Sequence, residues 1–459
     1  MKRKPPLHQP PLLRQPPPPR LPSGGSQIGG LTDSELNIVP TTKRNEDEED
    51  SVIDVPKRPI KVKSRPYYLR RCKRLNFLKT DINSLPDEIV FDILVHLPAQ
   101  DIYVAAMSVC LKWYQMIHTH KFVNAHLHCS TYGLLIQSQV YFGSRTHLTF
   151  IAKSQQGRTE LTRLSYKPRI EIIWCGSCNG LILESEHVNS GTLYITNPIT
   201  QQHFALPRFF YYSRSSLNSA IAYASVSMEY KVVRVYKLYK ENEKFIAILT
   251  VGVDESWRLV CTQHLSLEAK KLFEFEPLTT EGFVHWVRMG NNYVLTLNVE
   301  TEIITEYVVP SFCLRGRVRE HYCYFPTVKY LSVLIQFEGW KWEVWEMKPE
   351  TGEWTRLPGI ELKDIRCEII GSLCERNRIL KPVDDSKISI VVQAIGWLEY
   401  KELLVYLVYG PPPCEGNQVR ICFVWNIRLK EIIEFFEVGD IMASPFVHKN
   451  SLLWLDGCK

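Results

Sequence analysis

From Asn179 onward the chain returns repeatedly to one plan: an apolar strand, a second strand, a turn carrying Asn or Pro with Thr, then a further strand. The clearest copies are NGLILESEHVNSGTLYITNPITQQHFALP (179–207), GFVHWVRMGNNYVLTLNVETEIITEYVVP (282–310) and LSVLIQFEGWKWEVWEMKPETGEWTRLP (331–358), with looser ones at 230–260 and 403–438. Short runs of β-branched and aromatic residues bounded by Gly, Asn, Pro and charge read as strands. Units of about 40–50 residues with several strands each are the mark of β-propeller blades. The stretch from about 130 to the end is therefore expected to be all-β and propeller-like, of a kelch-like kind; the uneven repeat lengths leave a two-sheet β-sandwich as the alternative. A lone apolar run, SLLWL at 451–455, follows the last unit and could close the ring, which would hide sheet edges that otherwise invite aggregation. Trp257, Trp286, Trp342, Trp345, Trp354 and Trp425 stand at turn–strand junctions and are expected to pack between blades.

Composition fits an ordinary folded protein: of 459 residues 45% are hydrophobic and 23% charged. A net charge of +6 is small for this length and gathers towards the N-terminus, so nucleic acid is an unlikely partner for the whole chain. No apolar stretch is long enough to span a bilayer, and the opening MKRKPPLHQPPLLRQPPPPR lacks the apolar centre of a secretory signal, so a nuclear or cytoplasmic setting is expected. Thirteen cysteines, an odd number in a long chain without an Asn-x-Ser/Thr acceptor, then read as reduced thiols. Cys175 and Cys178 have the C-x-x-C spacing of redox or zinc sites, yet no second pair accompanies them, and a turn into a buried strand is the simpler reading.

Residues 1–80 are rich in Pro, Gly and charge and are expected to be disordered, because they cannot bury enough apolar surface to offset chain entropy. Between 57 and 79 the charge is wholly basic, from Lys57 and Arg58 to Lys79, as in a solvated linker, an import signal or a contact for an acidic partner. The expected divisions are this N-terminal region, a helical module at 81–128, connecting segment and first strands at 129–164, and the β domain at 165–459.

The helical module reads SLPDEIVFDILVHLPAQDIYVAAMSVCLKWYQMIHTHKFVNAH (84–126). Ile89, Ile93 and Leu97 recur at helical spacing with Val90 and Leu94 beside them, after an acidic first turn at Asp87 and Glu88. A second stripe runs Ala106, Cys110, Trp113 and Ile117. The segment is too short to bury both stripes on itself, so it is expected to need a partner. Leu85-Pro86, Glu88, Ile93-Leu94, Leu97-Pro98, Ile102, Val109-Cys110, Trp113, Ile117, Phe122 and His126 resemble the F-box in order and spacing. Two departures are Tyr103-Val104-Ala105-Ala106, where many members carry a basic residue, and Leu111, where a lysine often follows the cysteine.

The resemblance implies a small all-α module that docks on the Skp adaptor of a cullin-based ubiquitin ligase while the rest of the chain, an α+β multidomain protein as a whole, holds a target protein. The implied adaptor contacts are Leu85, Pro86, Glu88, Ile89, Ile93, Leu94, Leu97, Pro98, Ile102, Val109, Cys110, Trp113 and Ile117. Downstream, SCNGLI with NPIT (177–182, 197–200), YKVVRV (230–235), GFVHWV (282–287) and WEVWEM with WTRLP (342–347, 354–358) resemble the F-box-associated interaction domain of a large plant family. That family implies substrate recognition, no cofactor and no catalytic residues. The sequence itself offers no phosphate loop, metalloprotease motif or nucleophile elbow. His118, His120, His126, His128 and Cys129 form its densest set of metal-ligand types but read as exposed or capping residues, and Asp384-Asp385 as solvated charge in a polar turn. A scaffold outside any ligase, or an enzyme with a propeller pocket, are the competing classes. Loops at 211–214, 315–317 and 411–413 are the candidate target-binding surface.

Overall fold

The computed structural model describes residues 85–459 apart from 140–145, 155–156, 165–171, 187–191, 210–215, 238–242, 289, 311–320, 338–339, 377–389, 411–419, 439, 442–444 and 456–459. The import-signal and disorder expectations for residues 1–80, and the Asp384-Asp385 turn, lie outside these residues.

Proline breaks shape the helical module. Pro86 and Pro98 precede α1 (Asp87–Val95) and α2 (Ala99–Val104), each with the fixed φ that suits a helix entry. A single turn of 3-10 helix at Ala106–Ser108 leads to α3 (Leu111–Ile117) and α4 (His120–Cys129). Thr119 caps α4, its hydroxyl accepting from the Phe122 N–H at 3.2 Å. The expected second stripe is therefore not on one continuous helix. Ser108 Oγ donates to the Ala105 carbonyl at 2.8 Å, a local bond that competes with helix continuation, and Cys110 is extended at φ −162°.

Among the described residues the β region is a propeller of six sheets rather than a two-sheet sandwich. The first holds β1 (Tyr132–Gln139), β2 (Thr146–Lys153) and β3 (Thr159–Leu164). The second holds β4 (Ile172–Cys178), β5 (Leu181–Glu186), β6 (Leu193–Asn197) and β7 (Gln202–Ala205), and the third β8 (Ser216–Ala224), β9 (Glu229–Lys237), β10 (Lys244–Thr250) and β11 (Arg258–Val260). Two short helical segments, the first being α5 (Leu267–Lys270), lead to the fourth: β12 (Leu278–Thr280), β13 (Phe283–Trp286), β14 (Tyr293–Asn298) and β15 (Ile303–Val308). The fifth is β16 (His321–Pro326), β17 (Leu331–Phe337), β18 (Lys341–Met347) and β19 (Trp354–Glu361). After α6 (Arg366–Arg376), the sixth is β20 (Val391–Glu399), β21 (Leu403–Tyr409), β22 (Arg420–Asn426) and β23 (Glu431–Val438). The chain then returns to the first sheet, where β24 (Asp440–Ile441) and β25 (Phe446–Lys449) both pair antiparallel with β1.

Ring closure therefore uses 446–449, and the SLLWL run at 451–455 forms no strand. Its work is different. Leu452 is fully buried in the cluster that joins the module to the first two blades. Trp454 stacks on His118 at 4.5 Å and lies 6.3 Å from the Tyr103 ring. The buried Asn197 amide donates to the carbonyls of Ser451 and Leu453, at 3.1 and 2.9 Å, while its Oδ1 accepts from the Ile199 N–H. Two motifs of the second blade thus have one purpose. The Asn179-Gly180 hairpin, with both residues at positive φ, brings backbone so close to Ser451 that a Cβ on Gly180 would sit 2.1 Å from its hydroxyl.

Apolar clusters fill each seam of the ring. Trp286 lies between blades three and four, Trp342 and Trp425 between five and six, and Trp345 and Trp354 between four and five, while Trp257 joins two and three. The seam between blades one and two is filled jointly: Leu148, Phe150, Ile182 and Ile199 share a cluster with Val90, Leu94, Ile102, Ile117 and Phe122 of the helical module. Tyr103 also donates to the Thr200 carbonyl at 3.0 Å, and Lys449 Nζ to the Leu127 carbonyl at 3.0 Å. The helices and the ring form one compact unit.

Replacing Leu452 and Trp454 together by Ala removes packing worth about 2–5 kcal/mol per large side chain. Thermal unfolding should show a lower midpoint and a single transition; a midpoint within about a degree of the parent would contradict the role given to this segment.

Two imidazoles inside the ring are pressed neutral by burial. His285 sits between the hydroxyls of Thr280 and Thr296, at 2.9 and 3.0 Å, with its pKa lowered to about 3; His448, 2.7 Å from Ser177 Oγ, is lowered to about 4. Because the unfolded chain takes up these protons near pH 6.5, their contribution to stability is intact above that value and is lost as pH falls towards 4. The loss is up to about 1.4 kcal/mol per pH unit for each. The unfolding midpoint should drop steadily from pH 6.5 to 5, and less steeply in His285→Gln.

Candidate functional site

Helix α1 carries two apolar stripes, and they face opposite ways. Val90 and Leu94 point into the core, at 3% and 0% exposure. Ile89 and Ile93, one position earlier in each turn, are 47% and 50% exposed, and Leu97 continues their line just past the helix. The break at Cys110 turns Val109 and Leu111 outward as well, while Ala106 and Ile117 remain in the core. An ion pair between Lys112 and Asp87 sets the start of α3 beside the first turn of α1. Ile89, Ile93, Leu97, Val104, Val109, Leu111 and Tyr114 are seven of the nineteen large apolar side chains exposed among the described residues, all within 26 positions. An apolar concentration of this kind marks a protein-binding face.

The inner side of the module holds that face rigid. Phe91 meets Phe122 edge-on at 5.3 Å, and Lys121 lies over the Phe91 ring. His126 is only 2% exposed, with Nε2 donating to the Leu97 carbonyl at 3.0 Å, so it ties α4 to the end of α1. Burial lowers its pKa. His126 is thus a buried staple where an exposed or capping residue was expected. His118 is sandwiched between Tyr114 and Trp454, and no group of metal-ligating side chains occurs among the described residues.

The thirteen expected adaptor contacts fall into three groups. Pro86, Glu88, Ile89, Ile93, Leu97, Pro98 and Val109 are exposed; Leu85, Cys110 and Trp113 are half-buried; Leu94, Ile102 and Ile117 are wholly covered by their own chain. Those last three shape the module from within and have no free surface. Val104, Leu111 and Tyr114 belong to the exposed face although spacing alone did not single them out. The departure at Leu111, apolar where a lysine is common, was the available signal.

The other candidates give no competing centre. Desolvation pushes the half-buried Cys178 thiol up to about 12, so it stays protonated and is a poor metal ligand or nucleophile. The 211–214, 315–317 and 411–413 loops lie outside the described residues.

Comparison with known proteins agrees with this arrangement. Residues 82–128 match the F-box-like family and residues 137–339 the F-box associated beta propeller domain. F-box protein At5g49610 of Arabidopsis thaliana is 23% identical over 61% of this chain and 80% of its own length. Putative F-box protein At3g28280 of the same plant is 26% identical over 45% and 70%. Among solved structures, a Lactobacillus plantarum protein aligns with 68% of this chain and 82% of its own at 11% identity and a TM-score of 0.36, too distant to bear on function. With its helical module, its six-bladed ring and these relatives, the chain belongs to the F-box proteins that carry an F-box associated β-propeller.

Proposed function

We propose that this protein is the non-catalytic substrate-recognition subunit of a Skp–cullin–F-box ubiquitin ligase, working in the nucleus or cytoplasm. The outward stripe of α1 with Val109 and Leu111 docks on the helices of a Skp-type adaptor, the adaptor joins the cullin, and the propeller holds the target protein. One observation carries the reading: the inner face of the module is already filled by the ring, and a second apolar face is still left open. Burying the exposed half of an Ile side chain contributes roughly 1 kcal/mol, so Ile89, Ile93, Leu97 and Leu111 together supply about 4 kcal/mol of the docking energy, and the polar and half-buried residues around them supply the rest. Pro86 and Glu88, exposed at the head of α1, can orient the partner.

The double variant Ile89→Asp, Ile93→Asp should lose binding to a purified Skp-type adaptor by a hundredfold or more in titration calorimetry, about 2.7 kcal/mol, with an unchanged unfolding midpoint. Leu94→Ala should do the reverse, lowering stability by about 3 kcal/mol while the folded fraction still binds. Unaltered adaptor affinity in the double variant would sink the docking assignment. Reconstitution with adaptor, cullin and RING subunits tests the ligase step, since adaptor binding without cullin recruitment would make the protein a scaffold.

A further inference from the structure

The open face of the helical module differs in charge from the chain that carries it. The whole chain has a net charge of +6, yet the charges around Ile89, Ile93 and Leu97 are acidic. Glu88 and Asp92 stand one turn apart on α1, in the row next to Ile89 and Ile93. Asp101 on α2 is one turn before Val104, which is 65% exposed. All three carboxylates are exposed, and none has an ion pair or a side-chain hydrogen bond among the described residues.

No free cation answers them from within the module. Lys112, beside Leu111 on α3, is taken by Asp87, so no unpaired lysine or arginine stands on α1, α2 or α3 among the described residues. Lys121 of α4 lies over the ring of Phe91, which is two positions from Ile89 and therefore on the opposite side of α1. Past Leu97 and Pro98 the module meets the first blade across a hollow of about 340 Å³. There Lys153 is paired with Glu399, while Glu160, exposed on β3, adds a fourth unpaired carboxylate.

The apolar stripe is thus bordered by carboxylates that its own chain leaves uncompensated. A counterface with a neutral margin strips them of water without return, and an acidic margin repels them. We propose that the Skp-type adaptor accepted by this face is one whose apolar groove is bordered by lysine or arginine side chains, with Glu88, Asp92 and Asp101 as the charges that select it. The inference rests on the docking reading given above and adds to it which adaptor is chosen. Selection at such a rim acts mainly on the rate of association and weakens with salt, because exposed charges are screened beyond about 10 Å at 0.1 M. A single exposed pair contributes little, and three together give about tenfold in affinity.

The full-length protein should be measured by surface plasmon resonance against purified Skp-type adaptors that differ in the number of Lys and Arg residues around the groove. Those with the most basic margin should bind most tightly at low salt. Against such an adaptor the triple variant Glu88→Gln, Asp92→Asn, Asp101→Asn should bind about tenfold more weakly at about 50 mM salt, mostly through slower association, and within about twofold of the parent at about 1 M. Asp92→Lys should weaken binding further than Asp92→Asn. A control that removes the same charge from exposed positions on the ring, Glu255→Gln, Glu353→Gln, Glu431→Gln, should bind as the parent does, and the unfolding midpoints of both triple variants should be unchanged. The proposal is overturned if the module variant binds as the parent does or if the ring control loses as much. It is equally overturned if the module variant binds more tightly, as an acidic adaptor margin or competition from the chain's own basic residues 57–79 would produce. If no Skp-type adaptor binds the parent, this proposal and the docking reading fall together; if binding is lost in Ile89→Asp, Ile93→Asp but indifferent to the neutralised carboxylates, only the charge selection falls.

Discussion

The antiparallel pairing of β25 with β1 is the interaction on which everything else depends. It joins strands more than 300 positions apart, and until it forms the first blade lacks its innermost strand. Non-local closure of this kind carries a loop-entropy cost that grows only slowly with length, so a long chain can bear it when buried contacts follow at once. Here they do follow. The residues just after β25 run under the helices, where the Asn197 amide, Leu452 and Trp454 fix them. The strand that closes the ring and the segment that seats the helices are continuous, which makes the two events parts of one cooperative unit.

Much of this architecture was legible in the sequence because propeller blades repeat and because strand signals are local. The turn into a buried strand read around Cys178 is found as the Asn179-Gly180 hairpin between β4 and β5, where both residues stand at positive φ. The closing strand was misplaced by a few residues. Apolarity favoured SLLWL over FVHK, but the ladder position was decided by Val447 and His448 meeting Leu134 and Gly133, a pairing distant in sequence. SLLWL is apolar all round because it is covered on several sides, by helices and by blade two, and periodicity cannot distinguish that from a strand.

The candidate site shows the same limit. Spacing placed Ile89, Ile93 and Leu97 with Val90 and Leu94 on a single stripe of α1; in the structure that stripe divides, and nothing in the spacing says which of its residues the ring takes and which it leaves open. That choice is made by tertiary contacts: Leu94 is sealed by the module's own helices and the neighbouring blades, and Ile93 is left in solvent. His126 illustrates how a polar residue in a motif can be architectural, since its hydrogen bond to the Leu97 carbonyl satisfies a helix end that the proline at 98 leaves without a successor. The family resemblance named the right module without separating its exposed residues from those that the chain itself covers.

The joint seam between the helices and blades one and two has a mechanical consequence. With the Phe122 cluster, the Tyr103–Thr200 hydrogen bond and the Trp454 stack all spanning it, the module is not a tethered head on a swivel but a fixed bracket. On the receptor reading proposed above, a target held by the ring would be presented at a single bearing and distance relative to an adaptor on the helices, and any adjustment of reach would come from elsewhere in such an assembly or from slack in the cargo.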